Sequence, residues 1–378
     1  MTKAAELAKM GEVLTNSQIG GRRNIVINGA CQVAQRGTSS TGLGGSAPGY
    51  TTVDRWQLSV GATSAGRFST AQVAVTDLPG FANAFHLDCT TADTSIAAGE
   101  VLKMDYKIEG QDLQQLKKGT SSAEKVTVSF YMKTNKAFTF MCELDDRDNN
   151  RVNTQQFTTT TDWTRHVLTF AGDTTGTLDD DNALSMVITF FFHAGSDFTG
   201  GTYSENTWQS RASSDNMRAV GIGSFFDSTD NDIKITGLQM EVGEQATPFE
   251  HRSYGEERQL CYRYYYRTPD SVAGGHGANE TFPCVGNMDG TQTGAFMFIF
   301  PVPMRAAPTA IEQSGTSSDY SIRVTSDSNG STGPTAGGFT SEKALVNLIS
   351  NSASFTSGDG AFMRMEDTDA FIAFSADL

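Results

Sequence analysis

Alternation with a period of two is the feature that most limits what this chain can become. In KVTVSFYMK, residues 125–133, Val126, Val128, Phe130 and Met132 alternate with Thr127, Ser129 and Tyr131. In LSMVITFFFHAG, residues 184–195, Met186, Ile188, Phe190 and Phe192 face one way, and Val187, Thr189, Phe191 and His193 the other. TRHVLTF, 164–170, places His166, Leu168 and Phe170 on one side. Successive side chains of a strand point to opposite faces, so each stretch predicts a strand. DIKITGLQMEV, 232–242, carries Ile233 and Ile235 in one phase and Leu238, Met240 and Val242 in the other. The slip at Gly237 predicts a β-bulge. Polar, turn-rich segments such as DDRDNNR, AGDTTGTLDDDN and DSTDND separate the strands.

Helical signals are few. KAAELAKMGEVLT, 3–15, puts Leu7, Met10 and Leu14 at i, i+3 and i+7 and predicts one short amphipathic helix. Alone it is too short to be stable in water, so it needs something to pack on. GQDLQQLKKG, 110–119, predicts a turn or two of helix ending at Gly119. Many short strands and almost no helix predict an all-β chain built as an antiparallel sandwich or jelly roll. A chain of 378 residues is expected to hold more than one domain. The expected order is an N-terminal helix or anchor over 1–23, a β-sandwich over 24–252, a joint over 253–267, and a smaller β-sandwich over 268–378. SDSNGSTGPTAGGFTSE, 326–342, reads as a mobile loop within the last.

The joint has its own chemistry. ATPFEHRS leaves the first sandwich at Pro248, which cannot donate to a ladder. YGEERQL reads as a helical turn, with Glu256 and Glu257 where a helix N-terminus favours negative charge. CYRYYYR, 261–267, alternates Tyr262, Tyr264 and Tyr266 against Arg263, Tyr265 and Arg267 and reads as a strand. Tyrosine buries area with its hydroxyl at a wet edge, and arginine stacks on it. Phe249, Tyr254, Tyr262, Arg263, Tyr264 and Tyr266 are therefore expected to line an interdomain or intersubunit seam.

Charge and motif content exclude several functions. The formal net charge of −15 disfavours nucleic acid and anionic lipid as partners. No apolar run approaches the ~18 residues of a membrane span, and the N-terminal stretch lacks the apolar core of a signal peptide. Cys31, Cys89, Cys142, Cys261 and Cys284 are too scattered for a thiolate zinc site or a disulfide framework and are expected to stay reduced. Neither GxSxG nor HExxH occurs. No cofactor and no metal site is expected. Clustered aspartates (Asp145, Asp146 and Asp148, and Asp179, Asp180 and Asp181) read as solvated loop tips. They leave open a structural Ca²⁺ in an Asp-rich loop and a polysaccharide depolymerase using Asp145 or Asp180.

Aromatic residues outside the core pattern carry the better functional signal. FHAGSDFTGGTYSENTWQSR, 192–211, offers His193, Tyr203 and Trp208 in a Gly/Ser-rich segment. Flat apolar ring faces match the C–H faces of a pyranose, and polar ring edges reach hydroxyls. These three are the candidate glycan-binding residues; the alternative is that Trp208 folds back as a lid over an open end of the sandwich. Trp56 and Trp163 lie in strand-like contexts and are expected in the core or at its edge.

Six separated motifs then converge. RRNIVINGACQVAQRGTS (22–39), YTTVDRWQL (50–58), LDCTTADTSIAAGE (87–100), IEGQDLQQLKKGTSSAEKVTVSFYMK (108–133), HAGSDFTGGT (193–202) and GLQMEVGEQATPFEHRSYGEERQLCYRYYYR (237–267) resemble, in this order, tail-fibre proteins of marine phages and prophages. The resemblance implies a receptor-binding fibre of the virion with a carbohydrate-binding-module-like sandwich, probed outward from a homotrimer. It implies attachment to a phage tail or adaptor protein through the N-terminus, with Leu7, Met10 and Leu14 in the anchor. It also implies recognition of host surface polysaccharide or lipopolysaccharide without catalysis, with no nucleic acid bound and no membrane insertion. Such a chain is synthesised in the host bacterial cytoplasm. The alternatives are a purely structural or decoration protein of the virion and, behind it, the depolymerase.

Overall fold

The alternation in residues 126–132 is what the structure, a computed structural model, builds on. It describes residue 3 and residues 23–45, 49–62, 65–211, 215–268, 281–325, 327–367 and 370–378. Leu7, Met10 and Leu14 of the expected anchor lie outside the described residues. The chain divides into two compact units, one ending at Glu257 and including Leu378, the other Arg258–Asp377.

The first unit is made of β1 (Ser39–Leu43), β2 (Gly49–Tyr50), β3 (Trp56–Gly61), β4 (Arg67–Ala74), β5 (Asn83–Thr91), β6 (Val101–Glu109), β7 (Val126–Thr134), β8 (Thr139–Asp146), β9 (Arg151–Thr158), β10 (Thr164–Phe170), β11 (Leu184–Ala194), β12 (Gln209–Ser210) and β13 (Asp232–Val242). They form a six-stranded sheet in the order β1-β4-β5-β13-β7-β10 and a seven-stranded sheet in the order β12-β9-β8-β11-β6-β3-β2. The apolar phase of each strand fills the space between the sheets. Phe130 of β7 meets Phe190 of β11 edge to face at 4.8 Å and Phe157 of β9 at 5.0 Å. Such T-shaped pairs align ring edges with ring faces and add to what area burial alone supplies. His166 of β10 stacks on Phe130 at 5.1 Å, inside the same cluster.

The bulge expected at Gly237 is present. Thr236 pairs with Tyr131 and Gln239 with Ser129, so one extra residue sits on β13. Gly237 takes φ +66°, the left-handed region where a side chain is disfavoured. Beyond the bulge β13 loses β5 as a neighbour, since that pairing runs only from Asp232 to Ile235. The freed edge is closed by the segment after Arg23. Ile25 N–H donates to Met240 O, and Leu238 N–H to Gly29 O, each at 3.0 Å. The Asn24 side chain donates to Leu238 O and accepts from Met240 N–H. Asn28, also buried and at φ 58°, donates to the carbonyls of Val33 and Asp54 and accepts from Val33 N–H at 2.9 Å. The Asn28 carbonyl in turn accepts the indole N–H of the fully buried Trp56 at 3.1 Å. NIVINGACQ is thus a clip that satisfies buried backbone groups two strands would otherwise leave open.

The second unit is all-β as expected, but it closes where a smaller sandwich was expected. β15 (Thr281–Met288), β16 (Thr293–Ile299), β18 (Tyr320–Val324), β19 (Asp327–Phe339), β20 (Lys343–Ser350) and β21 (Gly360–Met365) form a barrel in the order β15-β16-β20-β19-β18-β21, and β15 pairs with β21 to complete it. β14 (Tyr265–Arg267), β22 (Ile372–Ser375) and β17 (Ile311–Gln313) add a three-stranded sheet. The segment read as a mobile loop is β19. Its Gly and Pro residues are absorbed by register shifts between Ser331 and Pro334 and between Ala336 and Gly338, so composition misled where pairing on both sides decided.

Two helical expectations also change. GQDLQQLKKG forms two 3₁₀ turns, Gly110–Asp112 and Gln114–Leu116, and ends at Lys117 in the left-handed region. YGEERQL is more than a turn: α2 (Tyr254–Tyr262) runs into the tyrosine stretch, after α1 (Ser196–Thr199) earlier in the chain. Ser253 Oγ accepts from Glu256 N–H at 3.3 Å, and S-x-x-E at 253–256 is the sequence pattern of such a start. Only Tyr265–Arg267 remain as strand, paired with β22.

Two outcomes follow from the buried polar groups. Asn28→Ala strips three hydrogen bonds from buried partners and should cost about 3 kcal/mol in denaturant unfolding; a loss below about 1 kcal/mol would contradict the clip. Burial pushes the His166 imidazole from 6.5 down to about 4. The folded state keeps the ring neutral where the unfolded chain already binds a proton. Its contribution is therefore complete above pH ~6.5 and lost as pH falls toward the folded value. His166→Leu should flatten the decline of melting temperature across that window, and an unchanged slope would assign the acid sensitivity elsewhere.

Candidate functional site

The expected glycan platform is where the structure departs furthest from the sequence reading. His193 is fully buried. Burial pushes its imidazole down while Glu100 pulls it up. Its Nδ1 lies 2.8 Å from Ser224 Oγ and its Nε2 3.3 Å from Glu100 Oε2. It holds the fold together and does not reach solvent. Tyr203 accepts the Gln156 N–H on its phenol oxygen at 3.0 Å and packs on a cluster with Met141 and Phe191. Trp208 donates its indole N–H to Ala171 O at 2.7 Å, and the Lys118 ammonium sits 5.3 Å over its ring. Lys118 is itself held by Asp146 at 2.5 Å and Asp173 at 3.0 Å. The cleft beside Trp208 admits only a water-sized molecule.

His193 lies on β11 itself, where a register shift after Phe191 turns it toward the inter-sheet core beside Phe226, and Trp208 packs against the same core. Tyr203 belongs to a strap over the outer face of the seven-stranded sheet. Gly195 N–H donates to Glu100 O at 2.7 Å, Asn206 N–H to Thr154 O at 3.0 Å, and β12 pairs with β9. The polar ring edges that would have met sugar hydroxyls are taken by the protein itself, which is the lid arrangement. Under the strap lie acids facing outward from the sheet. Glu143 of β8 is fully buried and bound by Arg218 through Nε at 2.8 Å and through Nη2. Burial pushes the Glu143 carboxyl up against the opposing pull of Arg218. Asp145, the depolymerase candidate, is buried with Arg147 at 2.9 Å, Arg211 at 3.2 Å and Arg218 at 3.4 Å. A carboxylate so enclosed by guanidinium groups is a structural counter-ion and has no open side for a sugar. Asp180 is exposed on its turn.

The other sheet presents a different surface. Tyr131 lies on the outward phase of β7, opposite Arg165 of β10. The strap Ala246–His251 crosses this face. Gln239 and Glu241 of β13 anchor it: Thr247 N–H donates to Glu241 Oε1, and Glu250 N–H to Gln239 Oε1, both at 2.8 Å. The strap delivers Phe249 and His251 beside Phe81. Phe81 is then the hub of four rings, 5.1 Å from Tyr131, 5.1 Å from Phe249 and 5.3 Å from His251. Phe81, Tyr131 and Phe249 are half-buried and His251 is exposed. Arg165 lies 5.9 Å over the Tyr131 ring.

Polar groups border the rings. Trp163, expected in or at the edge of the core, is half-buried just before β10 and donates its indole N–H to Asp77 at 2.8 Å. Asp77 also binds Lys133 at 2.5 Å. Hydrogen bonds from the Lys133 ammonium and the Trp163 indole hold the Asp77 carboxyl below its usual range. The result is an outer sheet face with an apolar aromatic centre and fixed hydrogen-bonding groups beside it. Such a surface can stack an apolar ring face and hydrogen-bond its substituents. The sequence held signals for it: Phe81 stands out of strand phase in the turn LPGFAN, and Tyr131 falls on the polar phase of β7.

The residues expected to form one seam fall in both units. Phe249 belongs to the ring cluster just described, and Tyr254 is exposed at the start of α2. In the second unit, the Tyr262 and Tyr266 rings meet at 5.2 Å and Tyr266 stacks on Phe374 at 6.4 Å. Tyr264 is buried, its carbonyl accepting from Ala376 N–H, and the Arg263 carbonyl accepts from Arg305 N–H, both at 2.7 Å. Helix geometry through Tyr262 removes the alternation that would have put the tyrosines on one strand face.

No family model matches the chain, and no curated protein does. Solved structures give low-level likenesses. A family 11 carbohydrate-binding module from Clostridium thermocellum, in complex with a β-1,3-1,4-mixed-linked tetrasaccharide, is 15% identical over 56% of this chain and 99% of its own, with a TM-score of 0.27. TmCBM61 in complex with β-1,4-galactotriose is 10% identical over 58% of this chain and 99% of its own, with a TM-score of 0.28. The enzymatically active domain of tailspike protein 4 of bacteriophage CBA120 is 12% identical over 53% of this chain and 21% of its own, also with a TM-score of 0.28.

The floor of the aromatic face is the bulge. A Cβ on Gly237 would sit 2.8 Å from the Phe81 ring and 2.9 Å from that of Tyr131. Gly237→Ala should therefore cost about 1–3 kcal/mol and shift both rings. Denaturant unfolding and aromatic NMR shifts read the two effects, and a neutral substitution would contradict this packing.

Proposed function

We propose that this chain is a non-catalytic attachment protein of a phage particle that binds host surface polysaccharide or lipopolysaccharide through the outer face of its six-stranded sheet. The observation that carries the reading is the aromatic face itself. Phe81, Tyr131, Phe249 and His251 form a partly exposed centre, with Trp163, Asp77 and Lys133 beside it. Apolar ring faces and fixed hydrogen-bond groups are the two things a pyranose needs from a shallow site. Support also comes from the six ordered motifs that resemble tail-fibre proteins and from a net charge that repels nucleic acid. In this reading the chain assembles as a homotrimer on the particle, joined to a tail or adaptor protein through its N-terminus, and carries no resident cofactor.

The test is binding of the purified chain to arrays of bacterial surface polysaccharides and lipopolysaccharides. Trp163→Ala and Phe249→Ala should each weaken the strongest interaction about tenfold or more, with melting temperatures close to that of the unaltered chain. Unchanged binding in both variants would move the site off this face. Absence of any glycan binding would leave the structural virion role.

A further inference from the structure

The loop between β4 and β5 supplies both an apolar and a polar half of the aromatic face. Val75 N–H closes it by donating to Ala82 O at 2.9 Å. The apolar half is Phe81, which lies on Tyr131. The polar half is Asp77, whose side chain is 52% exposed. Register sets the two halves side by side. Tyr131 pairs with Arg165, and continuing the Met132–Thr164 pairing places Lys133 opposite Trp163. Lys133 follows Tyr131 by two residues on the outward phase of β7, about 7 Å along the strand. Lys133 and Trp163 both hold Asp77, and they hold different oxygens. The indole N–H donates to Oδ1 at 2.8 Å and the ammonium to Oδ2 at 2.5 Å. An ionised carboxylate only accepts, and it offers about four lone-pair sites, two on each oxygen. One side-chain donor on each oxygen therefore leaves about two acceptor sites next to each other on an exposed group. That group is already fixed in orientation before anything binds, which lowers the entropy lost on binding.

We infer that the sugar unit seated on this face is an uncharged pyranose that presents two adjacent free hydroxyls to Asp77; the inference rests on the glycan-binding reading of the face given above. Three features select that ligand. An acceptor-only group is satisfied by donors, and hydroxyls on neighbouring ring carbons stand side by side as the two carboxylate oxygens do. A uronate, phosphate or sulfate at the same place would set like charge against Asp77. The nearest ammonium groups do not offset that opposition. Lys133 is bound to Asp77 itself, and the charges of Asp162 and Asp232 act on it as well. Lys234, opposite Lys133 on β13, is bound to Asp232 at 2.5 Å. A capped hydroxyl removes one donor and leaves an acceptor covered without a partner, the situation in which hydrogen-bonding sites discriminate most. The rings thus supply contact that many pyranoses can make, and Asp77 determines which of them fits.

Arrays of bacterial surface polysaccharides and lipopolysaccharides, printed once native and once O-methylated, test it. Methylation caps the hydroxyls and leaves the rings. The unaltered chain should bind native forms about tenfold or more over methylated ones, with its strongest signals on uncharged repeats that carry neighbouring free hydroxyls. Asp77→Asn keeps the shape and replaces one acceptor oxygen by an NH₂ donor. It should weaken native binding about tenfold and lose most of the preference, with melting temperature retained because an exposed ion pair adds little stability. Asp162→Asn removes the same charge from an exposed neighbouring position and should leave the preference unchanged. A preference that survives in Asp77→Asn overturns the inference; if Phe249→Ala still weakens binding, the reading of the aromatic face then stands. A strongest signal on a polymer without adjacent free hydroxyls also overturns it. If the unaltered chain binds no glycan, both fall.

Discussion

The first unit depends on how one interrupted strand is closed. An extra residue at Gly237 breaks the pairing between β13 and β5, and an open ladder in the middle of a sheet would leave backbone groups without partners in an apolar setting. Each such group costs on the order of 1–3 kcal/mol. The segment Asn24–Gly29 supplies the missing partners, through its backbone and through the side chain of Asn24. That segment is held in turn from the far end of the unit. Asn24 N–H donates to Glu250 at 2.7 Å, Asn28 N–H to Glu257 at 2.6 Å, and Arg252 donates to the Val26 carbonyl at 2.8 Å. The start and the finish of the unit therefore close the same gap, and neither can be released without exposing the other.

The same bulge shapes the surface. Lacking a side chain, Gly237 lets Phe81 and Tyr131 settle against the sheet, and the strap that returns to Asn24 carries Phe249 and His251 onto them. A backbone irregularity, a buried polar clip and an aromatic surface are consequences of one event. The opposite sheet follows a different logic. There the outward acids Glu143 and Asp145 are covered by a strap and neutralised by Arg218 and its neighbours. Buried ion pairs of this kind constrain arrangement more than they add net stability, since desolvation offsets much of the attraction. The covered sheet is therefore fixed, and the half-exposed rings of the other sheet are left facing solvent.

The period-two pattern marked β7, β10, β11 and β13, their inward faces as far as the register shift after Phe191, and the bulge at Gly237, because each needs only local alternation and the conformational freedom of one glycine. S-x-x-E at Ser253 could also have announced α2, and the turn position of Phe81 could have marked it as a surface ring. Tertiary structure alone decided the rest. Whether the ring edges of Tyr203 and Trp208 meet solvent depends on Gln156 and Ala171, distant in sequence. Whether Asp145 is an exposed acid depends on Arg211 and Arg218, which a strap brings to it. The Gly-rich stretch 327–339 is a strand because β18 and β20 flank it, and the second unit is a barrel because β15 reaches β21. Local sequence sets which face of a strand is apolar; burial, pairing partners and closure are set by residues far away in the chain, and it is those that turn an aromatic residue into a core, a lid or a binding surface.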